Sequence, residues 1–429
     1  MKEFEGKRLL VLGAVKLSGV IVEHAKAMGA YVIVADYKED SPAKKYADEG
    51  ILLNAVDVDA IVDYCRKANI DGIATGFIDI LLEPCYKACQ ILGLPCFLTP
   101  KLINMSTNKI EFKDTCRQFD VPVPKTYFVG SEIPNETYAN IEFPVFVKPL
   151  DSSGSRGAGV CNNIDELNEQ FSKAIVFSPT KNVVVEEYLI GREFLLNYVA
   201  QDGNYRIVSM FDRYTCSDRG TAINYSNLAI APSKGFKTLM QSVNDKVEKM
   251  FSSLGFKDGI FFLQGYHRNG RITFFEMGCR LGGSYYNLEK ACINIDPVDL
   301  VVRYALSGKM MNNICEVPKW VADYKTPAIC INYLLKDCEA TIGSIIGLKD
   351  VVQYPTCDSY EQMYFVGDHF SNDRMVDRPI LSLYLVEESM TKAIADVEYL
   401  NEKFHVFDAD GNNILKEKFD LRNLLSIEI

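Results

Sequence analysis

Lys148 stands immediately before Pro149 and a loop containing Ser152, Ser153, Gly154, Ser155, Arg156, Gly157 and Gly159. Glycine tolerates positive φ and removes side chains from an approach path. Such a loop can therefore turn backbone N–H groups and hydroxyls toward an anion. A lysine beside it adds a positive charge, and the combination suggests a nucleoside triphosphate. The pattern is not a Walker A loop, because no G-x-x-x-x-G-K-[ST] occurs. Nor is it the glycine-rich loop of kinases, because here the lysine precedes the glycines. Taken alone, the same residues would make an ordinary surface turn. The segment before the loop reads as a strand, with Val145 and Val147 alternating with Phe146 and Lys148 at period two. Pro149 stops it, which leaves the lysine at a strand–loop junction.

Other chemistries are poorly supplied. The chain has 429 residues and thirteen cysteines, none in a C-x-x-C pair, and four histidines, none spaced H-x-x-x-H. Cys85 and Cys89 are one helical turn apart, but no histidine follows at ligand spacing. A zinc site is not expected, and the thiols read as reduced and structural, as in a cytosolic protein. The formal charge of −11 argues against a nucleic-acid surface. No apolar run reaches the roughly 18 residues of a membrane span. Met1–Lys7 is charged and leads straight into a strand, so no secretory signal is read and a cytoplasmic location is expected. With 48% hydrophobic and 24% charged residues, the chain reads as soluble, globular and long enough for several domains.

The elements that must position Lys148 follow a clear order. Arg8–Gly13 is an apolar run ending in glycine, Val20–Ala30 reads as a helix, and Tyr31–Ala35 is a second apolar strand ending at Asp36. This is a doubly wound β–loop–α–β unit. Gly13–Gly19 lacks the G-x-G-x-x-G fingerprint, so a substrate-binding or structural role fits it better than a dinucleotide. Alternation continues through helices at 60–68 and 81–92 and short strands at 72–75 and 93–97. Leu102–Phe119 looks helical and carries Lys109, and a boundary is expected near Thr107. Asn182–Glu187 is a strand ending in two carboxylates. Phe236–Leu254 is the clearest helix, with Leu239, Val243, Val247, Met250 and Leu254 on one stripe and Gly255 as C-cap. Ile260–His267 and Ile272–Met277 are strands around Asn269-Gly270. From about Pro318 the texture changes to short strands and one helix, Thr391–Lys403.

Four segments in this order, NKIEFKDTCRQFDVPVPK, FVKPLDSSGSRGAGV, VVVEEYLIGREF and RITFFEMGCRLGGS, resemble the ATP-grasp superfamily of carboxylate–amine ligases, of the carbamoyl-phosphate-synthetase-like and L-amino acid ligase-like kind. The resemblance covers at least Lys7–Lys309, and the tail resembles the C-terminal domain of such ligases. It implies an α/β and α+β fold: a doubly wound N-terminal domain (1–106), a two-lobed ATP-grasp domain (107–317, small lobe to about 187, large lobe from about 188) and a small C-terminal α+β domain (318–429). It implies ATP and Mg²⁺ as cofactors. Lys109 and Lys148 would contact the phosphates, with Lys148 also near the adenine, and the loop with Ser153, Ser155 and Gly157 would close over them. Glu186, Glu187, Tyr188 and Leu189 would form the hinge at the adenine edge, Glu193 would take the ribose hydroxyls, and Met277 would border the nucleotide. Arg280 would stabilise the transferring phosphoryl group beside N–H donors at Gly282, Gly283 and Ser284. Each role suits its residue type: cations for phosphates, a carboxylate for hydroxyl donors, and a helix start for an anion. Asp212, Arg213, Tyr285 and Tyr286 would line or border the substrate pocket, with the tyrosine pair equally at home in a core.

The implied reaction is ATP-dependent activation of a carboxylate as an acyl phosphate, with ADP released, followed by attack of an amine. Two alternatives stay open: a non-catalytic ATP-binding module, and a phosphotransferase acting on a small molecule. The expected partners are a small carboxylate and an amine, with no nucleic acid and no membrane, and a homodimer is compatible. The chain departs from the resemblance at the metal. Gln264 stands where an acidic residue is usual, and Glu276-Met-Gly278 replaces Glu-x-Asn. Glu276 and Gln264 are the expected metal ligands, with one charge between them. Their partnership sets a condition on the hairpin. A two-residue Asn269-Gly270 loop alone would put the two on opposite faces of the strand pair. An odd loop, most simply of three residues, or a bulge is therefore expected instead of a plain type I′ hairpin.

Overall fold

A computed structural model describes residues 2–151, 156–217, 224–317, 327–371 and 379–419. Apolar runs at Arg8–Leu12 and Tyr31–Asp36 form the centre of a four-stranded parallel sheet, ordered Glu49–Leu52, Tyr31–Asp36, Arg8–Leu12, Gly72–Ala74. Leu9, Leu10 and Val11 are wholly buried, as strands covered on both faces must be. The Asp36 carboxylate accepts hydrogen bonds from Ala14 N at 3.0 Å, Lys38 N at 3.0 Å and Ser41 Oγ at 2.7 Å. It ties down its own loop, which fits a structural role for this unit.

The second sheet is antiparallel, ordered Thr126–Gly130, Val183–Glu187, Val145–Pro149, Gly159–Cys161. Val145 and Val147 face the helix Ile164–Phe177, together with Leu167 and Ala174. Period two then sends Phe146 and Lys148 to the opposite face.

The third sheet has eight strands: Arg271–Gly278, Gly259–Arg268, Arg192–Gln201, Asn204–Ser217, Asn224–Ala231, Ala328–Leu334, Pro379–Val386 and Cys357–Gln362. It runs unbroken across the position of the expected 317/318 junction, because Leu228–Ala231 pairs with Ala328–Ile331. A small sheet of His369–Phe370, Ala340–Ile346 and His405–Asp408 lies beyond. The parallel sheet docks on the helix Pro297–Ser307, sharing a core with Val298, Val301 and Val302. Gly72 is what permits this approach, since a Cβ there would lie 2.2 Å from the Ala305 carbonyl oxygen.

Three expected elements are corrected. Leu102–Phe119 is two helices, Pro100–Thr107 and Lys109–Gln118. Asn108 is extended between them, and its side chain accepts from Ile110 N and Glu111 N. Phe236–Leu254 is also two, Phe236–Ser242 and Asn244–Ser253. The apolar stripe is continuous across the break, but Asn244 receives the Tyr198 hydroxyl at 2.7 Å and donates to Glu248 at 2.9 Å. Side-chain bonding of this kind competes with regular helix, and stripe periodicity does not register it. The segment 93–97 is irregular rather than a strand. Among the described residues no helix is long and apolar enough to cross a membrane.

Candidate nucleotide site

The helix Lys109–Gln118 bridges the second and third sheets. Its buried face carries Phe112, Lys113, Thr115 and Cys116, and the segment after it is pinned to the third sheet where Phe274 N donates to Pro122 O at 2.8 Å. From this helix two lysines, one turn apart, reach opposite walls of a cleft.

On the small-sheet wall, Phe146 lies directly opposite Glu186 in register. Glu186 and Lys148 therefore share the face turned away from the helix Ile164–Phe177. The Glu186 carboxylate receives Lys148 on one oxygen and Lys113 on the other. Lys113 is fully buried, Glu186 is 3% exposed and Lys148 is 12% exposed. Burial alone would raise the Glu186 pKa, but the Lys148 and Lys113 ammonium groups hold it down to about 2. Lys113 is pushed down to about 8, first by burial and then by the like charge of Lys148. Three formal charges sum to +1, and Lys148 is the member that meets solvent.

On the large-sheet wall, Lys109 lies 3.8 Å from Glu276. The hairpin resolves the parity problem in an unforeseen combination. Arg268 pairs with Arg271, so the loop is two residues long, and Asn269 and Gly270 both have positive φ (50° and 71°). The expectation against a two-residue turn is thus corrected; the turn has the backbone signs of type I′. A bulge supplies the missing residue: Gly265 pairs with Phe274, and Gln264 pairs with Glu276. Phe275 is the extra residue, and Gln264 and Glu276 stand directly opposite on one face.

The remaining expected residues divide. Gly157 (φ +73°) accepts from Gln170 Nε2 at 2.9 Å, while Ser153 and Ser155 lie outside the described residues. Glu187 is exposed, with its N–H on Lys125 O at 2.8 Å. The Tyr188 ring stacks on Phe146 at 6.4 Å, and Leu189 follows on the link to Arg192–Gln201. The Glu193 carboxylate is already paired with Arg213. Met277 corrects its expected place: it is 1% exposed and packed in the core, because alternation turns it away from the face of Glu276. Asp212 also departs from expectation. It is buried, accepts from Lys234 N at 3.1 Å and meets His267 Nε2 at 2.9 Å and the Ser233 hydroxyl, so it organises a turn instead of edging a pocket. Tyr285 and Tyr286 are core residues, the first 4.8 Å from Phe211.

Arg280 reaches the parallel-sheet unit, where it makes a two-point pair with Asp79 (Nε–Oδ1 2.6 Å, Nη2–Oδ2 3.0 Å) and lies 5.3 Å above Phe262. Beside it Gly283 has φ +80°, and the Ser284 carbonyl accepts the Tyr384 hydroxyl. Sequence reading missed two participants. Asp79 gave no signal. Lys113 gave a faint one, a lysine between Phe112 and Cys116 on the buried side of an amphipathic helix.

Lysines from a helix and a four-stranded sheet here stand beside the strand pair that carries Gln264 and Glu276. The segment that holds them is similar to the ATP-grasp nucleotide-binding domain: residues 108–307 match the family described as carbamoyl-phosphate synthase L chain, ATP binding domain. A formate-dependent phosphoribosylglycinamide formyltransferase of Sulfurisphaera tokodaii is 28% identical over 315 residues, covering 71% of this chain and 77% of that one. The same enzyme of Prochlorococcus marinus subsp. pastoris is 25% identical over 191 residues, about half its length (44% and 49% of the two chains). The fold is shared with phosphoribosylglycinamide synthetase from Anaerococcus prevotii (TM-score 0.74, 17% identity, 96% and 100% of the two chains). It is shared equally with L-amino acid ligase from Bacillus licheniformis (TM-score 0.74, 19% identity, 94% and 99%).

Proposed function

We propose that the protein joins a small carboxylate to a small amine at the expense of ATP. The observation that supports this best is the pair of facing walls: Lys148 held by Glu186 on one, Lys109 beside Glu276 and Gln264 on the other. Lys148 and Lys109 neutralise the phosphates from two sides. The backbone of 187–189 meets the adenine, and Glu193, bonded to Arg213, takes the ribose. Arg280 and the N–H groups of Gly283 and Ser284 receive the transferring phosphoryl group.

The donor set suits a magnesium ion that arrives with the nucleotide. Glu276 and the Gln264 amide oxygen offer hard oxygen ligands on one face, and Mg²⁺ is commonly held by one or two carboxylates plus phosphates and water. When bound, it neutralises charge that develops on the phosphates. The chain's own residues position the reactants. A carboxylate oxygen attacks the γ-phosphorus, the bond to the β-phosphate oxygen breaks, and ADP leaves. The amine then attacks the acyl carbon, loses a proton and expels inorganic phosphate. Positioning and charge neutralisation account for most of such a rate enhancement.

The test is ADP release over a matrix of carboxylates and amines that includes formate and phosphoribosylglycinamide. Release that requires one member of each class supports the ligase. Release with a single acceptor would make the protein a phosphotransferase, and nucleotide binding without release on any combination would make it a binding module.

A further inference from the structure

Cys85 and Cys89 lie one turn apart on the buried side of the helix Leu82–Leu92. The helix ends at Gly93 in the left-handed region, and the chain doubles back, with Leu94 N bonded to the Cys89 carbonyl oxygen at 3.0 Å. That reversal brings Cys96 onto the two helix thiols. The three Sγ atoms all lie within 4.8 Å of one another. Cys85 and Cys89 are buried and Cys96 is partly exposed. A small cavity of about 30 Å³ opens beside Cys85 and Cys96 and is also lined by Thr75, Cys279 and Tyr304. The Thr75 hydroxyl is buried there without a hydrogen-bond partner.

We propose that Cys85, Cys89 and Cys96 form a zinc(II) site, with three thiolates from the protein and a water in the fourth position. The geometry fits in each respect. Zinc–thiolate bonds of about 2.3 Å in a tetrahedron put the sulfurs about 3.8 Å apart, within the span of this cluster. A cavity of this size has room for one water, and the unpartnered Thr75 hydroxyl gives that water an acceptor or donor. Three thiolates and one Zn²⁺ leave a single negative charge. A disulfide would use only two of the three sulfurs. Binding releases the thiol protons to solvent, up to three per ion, with no change of oxidation state. Cys96 is the entry point, since it alone of the three is not buried.

The test uses the full-length protein, reduced and stripped with a chelator, then titrated with Zn²⁺ against a chromophoric competitor and separately with Co²⁺. Wild type and Cys315→Ser, which removes an exposed thiol elsewhere, should bind one equivalent and give the thiolate-to-cobalt charge-transfer band. Cys96→Ser should lose both, and Thr75→Val should weaken zinc by about tenfold through loss of outer support. Equal binding by wild type and Cys96→Ser, or a cobalt spectrum without the thiolate band, would overturn the site. If Cys96→Ser does not fold, wild type decides alone: zinc should slow alkylation of Cys96, read by mass spectrometry, and an unchanged rate sinks the proposal.

Discussion

The two walls of the cleft treat their carboxylates differently. Glu186 is 3% exposed and grips two ammonium groups, while Glu276 is 33% exposed, with one lysine at 3.8 Å and a neutral amide opposite. On the first wall the carboxylate is fully paired before any ligand arrives, with one positive charge left over. The second has a carboxylate with one distant lysine and partial access to solvent. A buried carboxylate with strong partners fixes geometry, because moving it would strand charges in a poor dielectric. An exposed carboxylate with weak partners can exchange them for a cation at little cost. Under the proposed function, the contrast gives Glu186 a positioning role and leaves the metal-dependent chemistry to Glu276.

Substitutions at four positions can break or sharpen that contrast. The largest effect is expected at Glu186. Glu186→Ala leaves two ammonium groups unpaired and should lower stability by about 3–5 kcal/mol in urea unfolding; a loss below about 1 kcal/mol would mean the triad is not a structural anchor. Its pH signature has a definite sign. The folded pKa, about 2, lies below the ordinary value of about 4.3, so the stabilisation is present above that ordinary value and is lost as pH falls toward 2. Glu186→Gln should flatten this segment of the acid-unfolding curve.

Glu276→Gln should leave folding intact and reduce ADP release by about a hundredfold or more, roughly 2.7 kcal/mol, with nucleotide affinity measured by calorimetry little changed. Normal turnover would remove Glu276 from the chemistry. Lys148→Ala lies between the walls in character. It should weaken ATP binding about tenfold, near 1.4 kcal/mol, while costing less stability than Glu186→Ala because Lys113 still pairs with the carboxylate. Unchanged affinity would restrict Lys148 to holding Glu186. The smallest effect is expected from Gln264→Glu, which adds a charge to the undersupplied wall. The Mg²⁺ concentration for half-maximal ADP release should fall severalfold, with the gain limited by solvent. A rise would place the metal elsewhere.

Much of this was legible in the chain. Lys148 at the end of an alternating strand and Glu186 at the end of a valine run needed only period two and a proline. The hairpin shows where such reading stops. Asn269-Gly270 was a sufficient sign of a two-residue turn, and the demand that Gln264 and Glu276 share a face was sound. Reconciling them required a bulge at Phe275, and a bulge has no dipeptide signature of its own. Met277 and Asp212 were misplaced for a related reason. Side-chain direction depends on exact register, and a one-residue slip exchanges core for cleft.

By itself the sequence determined the order of motifs, the strand and helix periods and the departure at Gln264, because these depend on residues within a turn or two of one another. Only the tertiary structure decided that Lys113 joins Lys148 on Glu186, that Asp79 holds Arg280, and that Cys96 folds back onto Cys85 and Cys89. Each of those depends on where an element ends and what it docks against. Charge pairing and thiol clustering act through space, and no local periodicity carries a record of which distant segment will arrive.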